Sequence, residues 1–74
     1  MSKLYDILDS LRAEPGTFCD LMKRDVTNYT SDWAVDQYLQ ILVNMDYVHA
    51  YKNGKYRCTA AGREILKEKG YKCG

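Results

Sequence analysis

Leu4, Ile7, Leu8 and Leu11 recur at i, i+3, i+4 and i+7, which predicts an amphipathic helix. Ser2 is placed to cap it. Pro15-Gly16 ends it, because proline steers the residue before it away from helical geometry. Thr17 opens a second, short helix with Phe18, Leu21 and Met22 on its apolar side. Thr17 and Asp20 have the spacing of a capping box. From Val26 to Thr30 the periodicity lapses, which predicts a turn. Thr30 or Ser31 then caps a third helix, and Asp32 in its first turn suits the helix dipole. Val35, Leu39 and Leu42 form its inward stripe, flanked by Tyr38, Ile41 and Met45.

Beyond residue 47 the pattern changes from helical to strand-like. Asn53-Gly54 supplies the positive φ values of a two-residue type I′ hairpin turn. That turn predicts Lys52 opposite Lys55, Tyr51 opposite Tyr56, Ala50 opposite Arg57, and His49 opposite Cys58. Side chains alternate along a strand, so His49, Tyr51, Tyr56 and Cys58 are expected to face the core, with Lys52, Lys55 and Arg57 outward. Like charges across a ladder are unfavourable unless an anion sits nearby. The tip is therefore either an anion-contacting element or an ordinary polar turn. Thr59 caps a last helix carrying Ile65 and Leu66. Lys67 and Lys69 lie in its final turn, and Gly70 stands as the C-cap. Residues 71–74 read as a frayed tail.

Seventy-four residues allow a single domain, 1–74, with one modest core. No run approaches the roughly 20 apolar residues of a membrane span, and no signal-peptide pattern is present, so the expected location is cytoplasmic. Cys19, Cys58 and Cys73 are odd in number and widely spaced, which suits reduced thiols rather than a disulfide framework. One histidine, no Gly-rich phosphate loop and no paired metal-ligand motif argue against an enzyme, and no cofactor or metal is expected. His49 and Cys58, neighbours in the predicted register, are half of a zinc site but read better as a core pair.

Charge divides the chain. Residues 1–46 carry four basic and eight acidic side chains, a net of −4; residues 47–74 carry seven basic and two acidic, a net of +5. Such an asymmetry marks either an interaction surface or simple solvation of helix faces.

The order of elements resembles the winged helix-turn-helix family over almost the whole chain. The fold expected is α+β and mostly helical: three helices, a two-stranded wing and a C-terminal helix. Three stretches carry the resemblance: Val35-x-x-x-Leu39-x-x-Leu42, the helix exit Asp46-Tyr47-Val48, and Tyr56-Arg57-Cys58-Thr59-x-x-Gly62 before the last helix. The chain departs from the family pattern at Asp46-Tyr47, where Gly-Leu is usual, and at Cys58, where Leu is usual.

The resemblance implies a DNA-binding transcriptional regulator whose third helix enters the major groove of double-stranded DNA while the wing touches the backbone. Asp32, Trp33, Ala34, Asp36, Gln37 and Gln40 would then face DNA. Gln37 and Gln40 suit base reading, since a carboxamide pairs bidentately with adenine. Thr27, Asn28 and Thr30 suit the phosphate backbone as neutral donors, Lys23 and Arg24 flank the groove, and Lys52, Lys55, Arg57 and Arg63 supply cations. A regulator of this kind is expected as a homodimer, with the first and last helices as its natural interface.

Asp32 and Asp36 oppose that reading, because carboxylates on a DNA-facing helix work against phosphate. Asp32 also has a role as a first-turn stabiliser. Trp33 suits a protein-interface anchor, or a half-buried staple against Tyr29 or Phe18. The alternative is therefore a protein-binding inhibitor or adaptor of phage or mobile-element type, such as an anti-CRISPR protein. It would act in the host cytoplasm and press Tyr29, Asp32, Trp33 and Asp36 against a basic host protein or nucleoprotein complex.

Overall fold

The apolar stripes predicted from spacing are the ones that meet in the interior. The computed structural model describes residues 2–72. Its elements are α1 (Lys3–Ala13), β1 (Gly16–Thr17), α2 (Phe18–Met22), a 3-10 turn (Asp25–Thr27), α3 (Asp32–Asn44), β2 (Val48–Ala50), β3 (Lys55–Cys58) and α4 (Ala60–Glu68). Ile7, Leu8 and Leu11 of α1, Leu21 of α2, Val35, Leu39 and Leu42 of α3 and Leu66 of α4 close over Val48 and Cys58 of the sheet. Burying each aliphatic side chain of this kind is worth about 1.5–3 kcal/mol. The α3 stripe alone therefore outweighs any single helix cap, worth about 1 kcal/mol.

The caps nonetheless fix where the helices begin. Thr17 and Asp20 form the full capping box: the Thr17 N–H donates to Asp20 Oδ2 at 3.0 Å, and the Asp20 N–H donates to Thr17 Oγ1 at 3.1 Å. The Thr17 backbone N–H, and after it the Thr17 side chain, hold the Asp20 carboxyl below its ordinary pKa. Ser31, not Thr30, caps α3, its Oγ accepting from the Ala34 N–H at 3.2 Å. Ser2 stands at the N-cap position of α1, but its hydroxyl makes no capping bond.

The sheet runs in the order β1-β3-β2, antiparallel throughout. The wing thus has a third strand, Gly16–Thr17, which pairs with Tyr56 and Lys55. Two residues carry no periodicity, and β1 exists only because β3 offers it an edge.

The hairpin register differs from the expected one by a single residue. Val48 lies opposite Cys58, His49 opposite Arg57, and Ala50 opposite Tyr56. The Tyr51 N–H donates to the Lys55 carbonyl at 2.8 Å, and the Gly54 N–H to the Tyr51 carbonyl at 3.0 Å. The loop is therefore Lys52-Asn53-Gly54, with φ +87° at Gly54 and no positive φ at Asn53. This is a type I turn closed by a glycine bulge, not a type I′ turn, which needs positive φ at both central residues. A slip of one residue turns over every side chain of the slipped strand, here the first. His49 and Tyr51 move from the expected core face to the solvent face, beside Lys55 and Arg57, while Val48 and Cys58 are buried. His49 and Cys58 are accordingly not a cross-strand pair, and the half zinc site dissolves.

Two helix ends share one geometry. At the end of α3 the Asp46 N–H donates to Val43 and the Tyr47 N–H to Leu42; at the end of α4 the Gly70 N–H donates to Lys67 and the Tyr71 N–H to Leu66. Both are Schellman motifs, with Asp46 at φ 65° and Gly70 at φ 88° in the left-handed position. Thr59 joins the halves of the chain. Its hydroxyl donates to the Asp46 carbonyl at 2.6 Å and accepts from the Gly62 N–H at 3.1 Å. A Cβ on Gly62 would collide with the Tyr47 carbonyl oxygen and stand 2.8 Å from Cys58 Sγ. The Thr59-x-x-Gly62 motif is thus a packing joint.

Tyr71 belongs to the folded body, contrary to the expected tail. Its hydroxyl donates to Asp6 Oδ1 at 2.6 Å, and burial together with that bond pushes its pKa up to about 12. Arg12 donates to the Lys72 carbonyl at 3.0 Å. Gly74 and the third cysteine, Cys73, lie outside the described residues. Cys19 is exposed and Cys58 buried. The core residues of α1 and α4 are packed within the chain.

Candidate nucleic-acid interface

With Val35, Leu39 and Leu42 inward, helical geometry sends Trp33, Gln37, Gln40 and Asn44 outward along one stripe. All four are exposed. Asn44 was not among the expected contact residues. Its signal was present in the spacing, since it follows Gln40 by one turn. The stripe is therefore an amide ladder headed by an indole.

The aspartates take a flank of α3. Asp32, Asp36, Trp33 and Phe18 line an open groove of about 340 Å³. Asp32 Oδ1 accepts from the Trp33 N–H at 2.7 Å, so this carboxylate already serves the start of the helix. Asp36 is exposed, with no hydrogen-bond or ion-pair partner among the described residues. Trp33 is 71% exposed and Tyr29 fully so, which rules out a staple between them. Tyr29 also holds φ 64°, a left-handed conformation that β-carbon-bearing residues rarely adopt.

The turn before α3 is less available than expected. Thr27 is 3% exposed, and its hydroxyl donates to the carbonyls of Leu21 (2.8 Å) and Arg24 (3.0 Å). It braces the turn and is not a phosphate donor. Arg24 donates to the Ser10 carbonyl and Oγ, each at 3.0 Å, and so ties the turn after α2 to α1 instead of flanking a groove. Thr30 is half-buried; Asn28 and Lys23 are exposed.

The one-residue register shift assembles the second surface. Arg57 and Arg63 meet His49, Tyr51 and Thr59 around an open groove of about 250 Å³. Arg57 also borders a neighbouring groove of about 250 Å³, with Lys55, Tyr51, Asn53 and Pro15. Tyr51 and Arg57 form the ridge between the two. The rings of His49 and Tyr51 meet edge to face, 4.6 Å between centroids at 79°. Lys52 lies in the loop and borders neither groove. The side chains of Lys52, Lys55, Arg57 and Arg63 have no ion-pair or hydrogen-bond partner among the described residues. The structure thus brings three of the four expected wing and α4 cations onto one sheet face.

No helix of the described residues is long and apolar enough to cross a membrane. A family model described as winged helix-turn-helix matches residues 2–71 of the chain. No curated protein and no solved structure matches it.

Proposed function

The chain belongs to the winged helix-turn-helix family, and on that premise we propose that it is a small transcriptional regulator that binds double-stranded DNA. In this reading α3 lies in the major groove. Gln37 and Gln40 address base edges, joined by Asn44, and Trp33 and Thr30 approach the groove wall. Lys52, Lys55, Arg57 and Arg63 answer the phosphates. The observation that carries the reading is the exposed amide stripe of α3 followed in the chain by cations with no internal partner. Amides read but add little affinity, so the wing must supply most of the counterion release.

The test is binding to duplexes from upstream of its own gene. Lys55→Glu with Arg57→Glu is expected to weaken every duplex by about 10²-fold and to flatten the salt dependence by about one unit per lost contact. Gln37→Ala with Gln40→Ala is expected to erase discrimination between sequences while leaving non-specific binding in place. A palindromic site would carry two copies of the chain, and the stoichiometry of the complex measures that. The absence of any salt-sensitive duplex binding near physiological salt would end this reading.

A second reading rests on the groove of Phe18, Asp32, Trp33 and Asp36, with Tyr29 exposed nearby in the sequence. Two carboxylates around an exposed indole suit a Lys- or Arg-rich protein surface, with the chain acting as an inhibitor or adaptor. Trp33→Ala with Asp36→Lys is expected to abolish capture of such a partner without loss of the fold. Unchanged capture would dismiss it.

A further inference from the structure

The outer face of the sheet carries more than a phosphate contact requires. Two shallow grooves lie side by side, each about 250 Å³, and Tyr51 and Arg57 border both. Tyr51 is 42% exposed, and its ring is braced edge to face by exposed His49. Pro15 adds an apolar wall to one groove, and Arg63 and the Thr59 hydroxyl edge the other. No carboxylate lines either groove, in contrast to the groove beside α3. A duplex offers phosphates but keeps its base faces stacked inside, so it gives exposed rings nothing to bind. Unpaired bases do present faces to such rings, and a single strand brings its phosphates along with them.

We propose that this face is a binding site for single-stranded nucleic acid. Adjacent nucleotides occupy the two grooves, one base stacks on the braced Tyr51 ring, and Arg57 and Arg63 hold the backbone on either side. The proposal goes beyond the duplex reading and does not depend on it, because it requires neither the amide stripe nor the major groove.

The experiment is fluorescence anisotropy of end-labelled oligothymidylate and oligouridylate of about a dozen nucleotides, with a labelled duplex as the parallel arm. Wild type is expected to bind one or both single strands. Tyr51→Ala is expected to weaken that binding about tenfold or more, and Tyr51→Phe, which keeps the ring, to restore it. Arg63→Glu is expected to weaken it and flatten its salt dependence by about 0.7 per contact. Tyr51→Ala is expected to leave duplex affinity unchanged, whereas Gln37→Ala with Gln40→Ala alters duplex selectivity alone. Tyr51 is exposed and lies outside the buried core cluster, so circular dichroism is expected to show an intact fold. No single-strand binding at low salt, or equal binding by wild type and Tyr51→Ala, would overturn the proposal whatever the duplex arm shows.

Discussion

The flank of α3 and the outer face of the sheet are built alike and charged oppositely. Each is an open groove bordered by an exposed aromatic ring: Trp33 with Phe18 in one, Tyr51 with His49 in the other. Asp32 and Asp36 edge the first; Arg57 and Arg63 edge the second, and Lys55 with Arg57 edges the groove beside it. A surface that must meet phosphate cannot be indifferent to that sign. The difference teaches that helix and wing do not share one task. In the proposed function, affinity for nucleic acid comes from the sheet side, and α3 contributes selectivity through amides placed beside, not among, its carboxylates.

The largest expected effect breaks the joint between the two regions. Gly62→Ala drives a Cβ into the Tyr47 carbonyl and the Cys58 sulfur, where the backbone cannot yield. A loss of about 2–3 kcal/mol is expected in chemical denaturation, and the folded remainder is expected to lose duplex binding and capture of basic proteins together. If stability is unchanged, the Thr59-x-x-Gly62 joint is not what positions α4 against the end of α3.

The next effect inverts one sign within the comparison. Asp36→Lys removes the carboxylate that has no internal partner and adds a cation to the α3 flank. Duplex affinity is expected to rise severalfold, with the salt dependence steeper by about one unit. Asp32→Asn is expected to change affinity less, since its carboxylate is already engaged by the Trp33 N–H, and to lower stability by a few tenths of a kcal/mol through the helix dipole. Weaker duplex binding by Asp36→Lys would mean that this carboxylate accepts from a base, cytosine N4 being the available donor.

Much of the helical half was legible because period 3.6 is enforced by burial. Val35, Leu39 and Leu42 are each 0% exposed, as their spacing requires. The capping box at Thr17 was equally legible, since it depends on two residues three apart. The hairpin was misread because Asn-Gly fits two turn types, and only the count of loop residues separates them. The alternation of Val48 with Ala50 and of Tyr56 with Cys58 already contained the answer. Apolar residues at those positions share a face only in the observed register, and the need to bury Val48 outweighs the preference of a turn. The candidate sheet site was hidden by the same error, since the expected register buried Tyr51 and His49. Strand β1 was illegible in principle: two residues gain strand geometry only from a partner elsewhere in the chain.

The smallest effect concerns the residue where the acidic half ends. Asp46 occupies the left-handed position of its Schellman motif at φ 65°, where Gly70 stands in the matching motif of α4. A β-carbon in that conformation costs about 1 kcal/mol relative to glycine, though glycine recovers less than this because it also loosens the unfolded chain. Asp46→Gly is therefore expected to stabilise the fold by about 0.5 kcal/mol, read as a higher denaturation midpoint at unchanged slope. The substitution also deletes an exposed carboxylate at the junction with the wing. Asp46→Asn separates the two contributions, because asparagine tolerates the left-handed conformation while removing the same charge. If both variants raise duplex affinity equally, the carboxylate acts through its field alone, and the acidity of the helical half opposes DNA as far as the wing. If neither does, the opposition is confined to the groove at Asp36, and the two faces function independently.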